Sequence, residues 1–103
     1  MSQFAVHRNP GRDAATPFVV QMQSSRLADV PGRFVMPLVR VGPRSPPDHA
    51  LTPRMTVLGE TVYANPFDVA TVPKERLGTT LALLDDAQGD AVVRALDELI
   101  SRA

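Results

Sequence analysis

Histidine is the side chain best suited to move protons near neutral pH, and this chain has two, His7 and His49. His7 falls in a predicted strand, on the side that alternation places outward, and His49 lies in a proline-rich loop. Neither histidine has a carboxylate and a nucleophile beside it at a spacing typical of a catalytic triad. We therefore interpret both as surface histidines and assign no catalytic residue.

Metal and cofactor sites leave recognisable residue patterns, which this sequence lacks. The acidic stretch 85–90 has neither the alternating oxygen ligands nor the terminal glutamate of a calcium loop, so we interpret it as a solvated turn before a helix. The chain has no cysteine, which excludes disulfides and thiolate metal sites. Glycine-rich phosphate loops and the HExxH motif are also absent. We expect neither a metal nor a cofactor.

Charge and hydropathy limit the classes of partner. Eleven acidic and eleven basic side chains give a net charge of zero. Proteins that bind nucleic acid directly usually carry a basic excess, so we expect no direct nucleic-acid partner. No apolar run approaches the roughly 20 residues of a membrane span, and the chain does not open with an apolar signal region. The expectation is a cytoplasmic protein with no membrane partner.

The length of 103 residues suits one compact domain, residues 1–103, and is too short for two. A core of this size hides only about 60–65% of the surface that the unfolded chain exposes. We therefore expect a partner subunit to cover part of the remainder.

The stretch Phe18–Val41 predicts two strands joined by a turn at Val30-Pro31-Gly32-Arg33. Apolar and polar residues alternate before the turn, and a mostly apolar run follows it. Proline fixes φ in the turn, and the glycine is free to take a positive φ. Pro37 interrupts the second strand, and because proline cannot donate to a sheet we place it at an edge or a bulge.

Further strands are predicted on both sides of this pair. Gln3–His7 alternates as a first strand, and a loop follows at Asn9–Asp13. Leu51–Tyr63 predicts a hairpin with a type II′ turn at Gly59-Glu60. Phe67–Val72 is predicted to be one more strand, which Pro73 ends.

The C-terminal part of the chain predicts one helix. Pro73–Gly78 fits a helical turn, and Thr79–Asp86 is ambiguous between strand and helix. From Asp90 onward the spacing is helical. One face is predicted to hold Val92, Val93, Leu96, Leu99 and Ile100, with Asp90–Arg94 and Glu98–Arg102 as ion pairs on the other. Strands followed by a terminal helix indicate a mainly β, α+β domain with an antiparallel sheet.

Four segments of this sequence resemble the CcdB family of toxins from bacterial toxin–antitoxin modules. They are QFAVHRN, VQMQS, DVPGRFVMPLV and LTPRMTVLGETVYANPFDVATVP, which occur in the family's order and separations between Gln3 and about Gly78. The resemblance implies a small SH3-like barrel with an antiparallel sheet extension and a C-terminal helix, as in CcdB, MazF and Kid. It also implies a homodimer.

The same resemblance implies a function without catalysis. CcdB-like toxins bind the A subunit of DNA gyrase and trap the enzyme while its DNA is cleaved, and a CcdA-like antitoxin segment removes them. Gyrase is contacted by the end of the C-terminal helix and by a turn before the Pro-Gly word. Carried onto this chain, these positions are Arg26, Leu27, Asp97, Ile100, Ser101, Arg102 and Ala103.

The expected contact residues differ from the family pattern. Ser101, Arg102 and Ala103 stand where the family ends in Trp-Gly-Ile, and losing such a tryptophan anchor costs about 2–4 kcal/mol. The turn segment, where the family has two isoleucines, contains Arg26 and Leu27 and is one residue longer. Leu99 and Ile100 are candidates for the dimer interface, although an apolar helix stripe more commonly faces the core.

Three functions therefore remain open. The protein is a gyrase poison whose surface diverged with its target, or a CcdB-fold protein that lost gyrase poisoning and has another target or only an antitoxin. The third alternative is an RNA-cleaving toxin of the MazF type, which shares this barrel. Five arginines could contact phosphates in that case: Arg12, Arg33, Arg40, Arg44 and Arg54.

Overall fold

The computed structural model describes residues 3–23 and 30–101. Its strands are β1 (Ala5–Arg8), β2 (Phe18–Gln21), β3 (Gly32–Arg40), β4 (Arg54–Val57), β5 (Glu60–Ala64), β6 (Ala70–Pro73) and β7 (Ala82–Leu83), and its helix is α1 (Asp86–Ile100). A curled antiparallel sheet with one C-terminal helix confirms the predicted mainly β, α+β fold.

The long central strand β3 organises the sheet. The strands run in the order β4-β5-β3-β2-β1-β7, and β6 pairs with β3 outside this path. On one side β3 pairs with β2, as the sequence predicts for the two halves of Phe18–Val41. On its other side, Gly32–Val35 pairs with β6 and Leu38–Arg40 pairs with β5. Sharing one long strand between two partners lets the sheet curl around its core.

Pro37 lies inside this central strand, so its prediction at an edge or a bulge is corrected. It pairs with Val19 of β2 on one side. On the other side it falls between the segments that pair with β5 and β6, and its carbonyl accepts a hydrogen bond from the Asn65 N–H at 3.0 Å. A proline is tolerated here because no residue of β5 or β6 pairs with this position, so the sheet does not need its N–H.

Gly32 opens β3, and its φ is not positive, contrary to the sequence prediction for this turn. The residue is needed for its small size instead. A Cβ at this position would lie 2.7 Å from Cγ2 of Thr71 in the neighbouring strand β6. Crowding by the Thr71 side chain therefore explains this glycine better than turn geometry does.

The β4–β5 hairpin forms as predicted, but its turn lies one residue earlier. Val57 pairs with Glu60, which leaves Leu58 and Gly59 as the connection. Their φ angles are 51° and 80°, so both central residues are left-handed, as in a type I′ turn. The predicted type II′ turn at Gly59-Glu60 is therefore wrong. Leucine in this conformation is unusual and carries local strain.

The segment predicted as one strand from Phe67 to Val72 is divided. A 3₁₀ turn covers Pro66–Asp68, where Oδ1 of Asn65 accepts a hydrogen bond from the Phe67 N–H at 3.1 Å. Strand β6 begins only at Ala70. A second 3₁₀ turn at Lys74–Arg76 confirms the predicted helical turn.

Helix α1 begins four residues before the predicted start at Asp90. Asp85 is its N-cap, and Oδ1 of Asp85 accepts a hydrogen bond from the Gln88 N–H at 2.7 Å. Oε1 of Gln88 in turn accepts one from the Asp85 N–H at 3.1 Å, which completes a capping box. The acidic stretch predicted to be a solvated turn therefore forms the cap and the first turn of the helix.

The buried face of α1 consists of Gly89, Val92 and Ala95. Gly89 is required here because a Cβ would lie 2.9 Å from the ring of Phe4. Asp90 and Arg94 do not form the predicted ion pair. Among the described residues, an ion pair joins Arg40 and Glu60, with 3.1 Å between Nε and Oε1. The second predicted pair includes Arg102, which lies outside the described residues.

The sheet is covered on both faces. The main core includes Val6, Val20, Met36 and Val92 and receives Phe4 at its margin, as the alternation of the first strand predicts. A smaller cluster of Val19, Val35 and Leu77 packs on the opposite face. Residues whose alternation directs them away from the main core can therefore still be buried.

Candidate functional site

The C-terminal end of α1 is the surface to which the sequence assigns target binding. Val92 and Ala95 are fully buried, whereas the residues one turn later are exposed. Leu99 is 36% exposed and Ile100 is 67% exposed, so the prediction that an apolar stripe would place them in the core is wrong. Two large apolar side chains at the end of a helix form an uncovered surface on the described chain.

Two acidic residues precede this apolar end in the helix. Asp97 and Glu98 are exposed on the last turn, and Val93, which was predicted to belong to the buried face, is 37% exposed one turn earlier. An apolar centre with a charged rim is the usual composition of a protein–protein contact. The exposed end of α1 is therefore a candidate protein-binding surface.

Ser101 ends the helix as its C-cap, with extended backbone angles φ −64° and ψ 141°. It is exposed, and it follows Ile100 directly. Of the seven candidate gyrase-contacting residues, the structure therefore brings Asp97, Ile100 and Ser101 together at one end of the helix. The other four, Arg26, Leu27, Arg102 and Ala103, lie outside the described residues.

His7 is buried, with 2% of its surface exposed, which corrects its prediction as a surface histidine. Its Nδ1 lies 2.9 Å from the Gly78 carbonyl, and its Nε2 lies 2.7 Å from Nε2 of Gln21. The carbonyl can only accept, so Nδ1 carries the proton and Nε2 accepts from the Gln21 amide. The hydrogen bonds join β1, β2 and the segment after the second 3₁₀ turn, which is a structural role.

His49 is exposed, as predicted, and its Nδ1 accepts a hydrogen bond from the Leu51 N–H at 3.1 Å. It borders an open depression of about 500 Å³ between α1 and the loop before β4. Asp48 lines the same depression, where its Oδ1 accepts from the Arg54 N–H at 3.0 Å. Both side chains thus stabilise the conformation of their own loop.

The five arginines considered for phosphate contact do not all line one groove, although Arg12 and Arg40 share a depression. Arg33 is buried, and its Nη1 donates to the carbonyls of Val30 and Gly32. Arg40 pairs with Glu60, and Arg54 donates to the Pro46 carbonyl at 3.0 Å. Arg12 and Arg44 are exposed and line different depressions.

Within residues 3–23 and 30–101, no group of three histidine or acidic side chains is placed to hold a metal ion. The described part of the chain also has no helix with the length and apolar character needed to cross a membrane.

The chain was compared with known proteins. A family model described as "CcdB protein" matches residues 3–101. A search of curated proteins finds no significant match. The chain is also similar to a solved structure described as an endoribonuclease in complex with its cognate antitoxin, from mycobacterial species. The alignment covers 100% of this chain and 97% of the other chain, with 14% sequence identity and a TM-score of 0.79. That likeness shows a shared fold, and the family match covers nearly all of the sequence, so the chain belongs to the CcdB family.

Proposed function

We propose that this protein is a toxin that binds the A subunit of DNA gyrase with the end of α1 and traps the gyrase–DNA cleavage complex. Membership of the CcdB family supports a toxin of a toxin–antitoxin module. The observation that carries the gyrase contact is the exposed apolar end of the helix, where Ile100 is 67% exposed. In the proposed function, an antitoxin encoded with the toxin removes it from gyrase in the cytoplasm.

Ile100 is the proposed anchor of this contact. The family resemblance places a tryptophan at the position of Ser101, and serine cannot fill an apolar pocket. An adjacent isoleucine with two thirds of its surface exposed can supply part of the lost apolar area. Burial of such a side chain contributes about 1.5–3 kcal/mol, which is comparable with a moderate interface anchor.

The mechanism requires no chemistry from the toxin. Binding that favours the gyrase state with cleaved DNA over the state with intact DNA is sufficient to accumulate breaks. The toxin then acts as a homodimer, so that two helix ends engage the two A subunits of gyrase across a common two-fold axis.

The experiment adds purified protein to gyrase from its own host with supercoiled plasmid. Linear DNA is expected after denaturation of the trapped complex, and Ile100→Ser should reduce it by at least about tenfold, which corresponds to about 1.4 kcal/mol of binding. Leu58→Ser is the matched control because Leu58 is an apolar side chain that is 54% exposed at the β4–β5 turn and does not belong to the helix. It should leave the yield of linear DNA unchanged.

Two results would support the alternatives instead. Folded wild-type protein that yields no linear DNA contradicts gyrase poisoning and leaves a CcdB-fold protein with another target or only an antitoxin. Cleavage of single-stranded RNA by the same preparation, without gyrase, would support an RNA-cleaving toxin. The fold shared with an endoribonuclease is the reason to include that assay.

A further inference from the structure

Strand β7 forms one end of the main path of the sheet and pairs with β1 alone among the described strands. Hydrogen bonds extend its attachment beyond the two residues of the strand. The Leu81 N–H donates to the Val6 carbonyl at 2.7 Å, and the Leu84 N–H donates to the Phe4 carbonyl at 3.1 Å. Leu81–Leu84 is therefore an extended edge segment with one side that no described strand covers.

The side chains of this edge segment alternate between solvent and core. Leu84 is buried and Ala82 packs against the main core, whereas Leu81 is 40% and Leu83 is 61% exposed. Two exposed leucines at positions i and i+2 lie on the same face of an extended chain. An uncovered edge with an apolar row beside it is suited to accept an added strand.

Arginines surround one end of this edge. Two open depressions, of about 400 and 350 Å³, share Arg8, Asn9 and Leu81 as lining residues. The first is also lined by Arg12 and Arg40, and the second by Arg76. Arg8 and Arg12 are exposed, and neither makes a side-chain hydrogen bond or ion pair with another described residue.

The two carboxylates near these arginines are already engaged. Asp13 accepts hydrogen bonds from the Ala15 N–H at 3.0 Å and from Oγ1 of Thr16 at 3.1 Å. Glu60 pairs with Arg40 at 3.1 Å. Neutral donors leave the charge of Asp13 in place, but the arginines that line the two depressions outnumber the two carboxylates, so a net positive charge remains available to an external anion.

The net charge of zero conceals a separation of charge along the chain. Five of its eleven acidic residues lie between Asp85 and Glu98, and Arg94 is the single basic residue in that segment. The remainder of the chain therefore carries a basic excess. An acidic partner is repelled by α1 and attracted to the arginines beside Leu81.

We propose that Leu81–Leu84 and the two adjoining depressions bind an extended segment of a partner protein that carries apolar side chains and, at one end, carboxylates. The segment adds a strand to the free edge of β7, its apolar side chains contact Leu81 and Leu83, and its carboxylates bind Arg8 and Arg12. This surface and partner chemistry go beyond the proposed gyrase contact and do not depend on it.

The lining favours a peptide over a nucleic-acid strand. Stacking of bases on exposed aromatic rings supplies much of the affinity for single-stranded nucleic acid. Phe18 is the aromatic residue that lines these depressions, and it is only 9% exposed. Exposed leucines and a free strand edge instead match the apolar side chains and backbone groups of an extended peptide.

The charges also define the orientation of the segment. Asp85 and Asp86 follow the Leu84 end of the edge, and both are exposed. Arg8 and Arg76 lie at the Leu81 end. The acidic residues of the partner segment therefore bind at the Leu81 end, because at the other end they would meet like charge.

The test is an NMR titration of the isotope-labelled full chain with three probes: a short peptide of alternating leucine and glutamate, the same peptide with lysine for glutamate, and oligouridylate RNA. The acidic peptide should cause saturable shifts at Arg8 and Leu81–Leu84 and slow the amide exchange of the edge segment. Binding should weaken as salt is added, because exposed arginine–carboxylate pairs are screened.

Variants with matched controls separate the charge from the apolar contact. Arg8→Glu should weaken binding of the acidic peptide by about tenfold, which corresponds to about 1.4 kcal/mol. Arg44→Glu changes an exposed arginine outside both depressions and should leave the binding unchanged. Leu81→Ser should weaken it too, whereas Leu58→Ser should not.

Three outcomes would overturn the proposal. The first is the absence of shifts at the edge segment when the acidic peptide is added to folded protein. The second is equal binding of the lysine peptide, which would contradict the role of the arginines. The third is stronger binding of oligouridylate at the same amides, which would assign the surface to nucleic acid.

Discussion

At the scale of single residues, His7 shows how alternation and burial can disagree. The alternation of β1 correctly directs Val6 into the main core and His7 to the opposite face. That face is covered, because Leu77 packs against Val19 and the Gly78 carbonyl bonds to the histidine. The direction of the side chain could be predicted from the sequence, but its burial could not, because the covering segment lies 71 positions away along the chain.

We predict that His7→Ala destabilises the protein strongly. The substitution leaves a cavity and removes the hydrogen bonds to Gly78 and Gln21. Together these losses should lower the free energy of unfolding by about 2–4 kcal/mol, as measured by denaturant titration.

The matched control is His49→Ala, because His49 is exposed and holds a single backbone hydrogen bond. It should cost less than about 1 kcal/mol. Equal effects of the two substitutions would contradict the assigned role of His7 as a buried hydrogen-bonding residue.

At the scale of elements, the start of α1 is fixed by a side chain cap. We predict that Asp85→Ala lowers the free energy of unfolding by about 1 kcal/mol, since it removes the acceptor for the Gln88 N–H. Asp85→Asn should preserve most of the stability because asparagine is an equally good N-cap. Chemical denaturation of the three proteins measures the difference.

Asp86→Ala is the control for charge without capping. Asp86 lies in the first turn, where its carboxylate interacts with the helix dipole but caps no backbone group in the described structure. Alanine loses that interaction but gains helix propensity, so the net change should be within about 0.5 kcal/mol. A loss as large as that of Asp85→Ala would mean that charge alone, and not the capping box, determines the start of the helix.

The elements that the sequence predicted well are those whose signal is local. Alternation identified β2, a mostly apolar run identified β3, and helical spacing identified α1. Two of the errors occur where a distant partner decides: the absence of a side chain at Gly32 leaves room for Thr71, and Pro37 is tolerated by the change of partner strand. Composition likewise gave the net charge but not the basic surface beside Leu81, since Arg8, Arg12 and Arg76 come together only in the fold.

At the scale of the whole molecule, the same residue was assigned two roles from the sequence. Ile100 is a candidate for both the dimer interface and the gyrase contact. Its 67% exposure on the single chain agrees with either role, because both require a surface that a second protein can cover. Measuring the oligomeric state and the gyrase response of one variant separates the two roles.

We predict that wild-type protein sediments as a homodimer and that Ile100→Ser remains dimeric while it loses gyrase trapping. The reason is the position of Ile100 at the last residue of α1, next to the exposed Ser101, whereas Leu99 is less exposed and is the better candidate for a buried dimer contact. Leu99→Ser should therefore shift the dimer toward monomer at micromolar concentration, by about tenfold or more in the dissociation constant.

Sedimentation equilibrium measures the first effect, and the plasmid-cleavage assay measures the second, on the same preparations. A monomeric Ile100→Ser protein would assign that residue to the dimer interface, and its loss of gyrase trapping would then be a consequence of lost symmetry rather than of a lost contact. A monomeric wild-type protein would contradict the dimer itself. In that case the uncovered end of α1 would have to be covered by the target or the antitoxin alone.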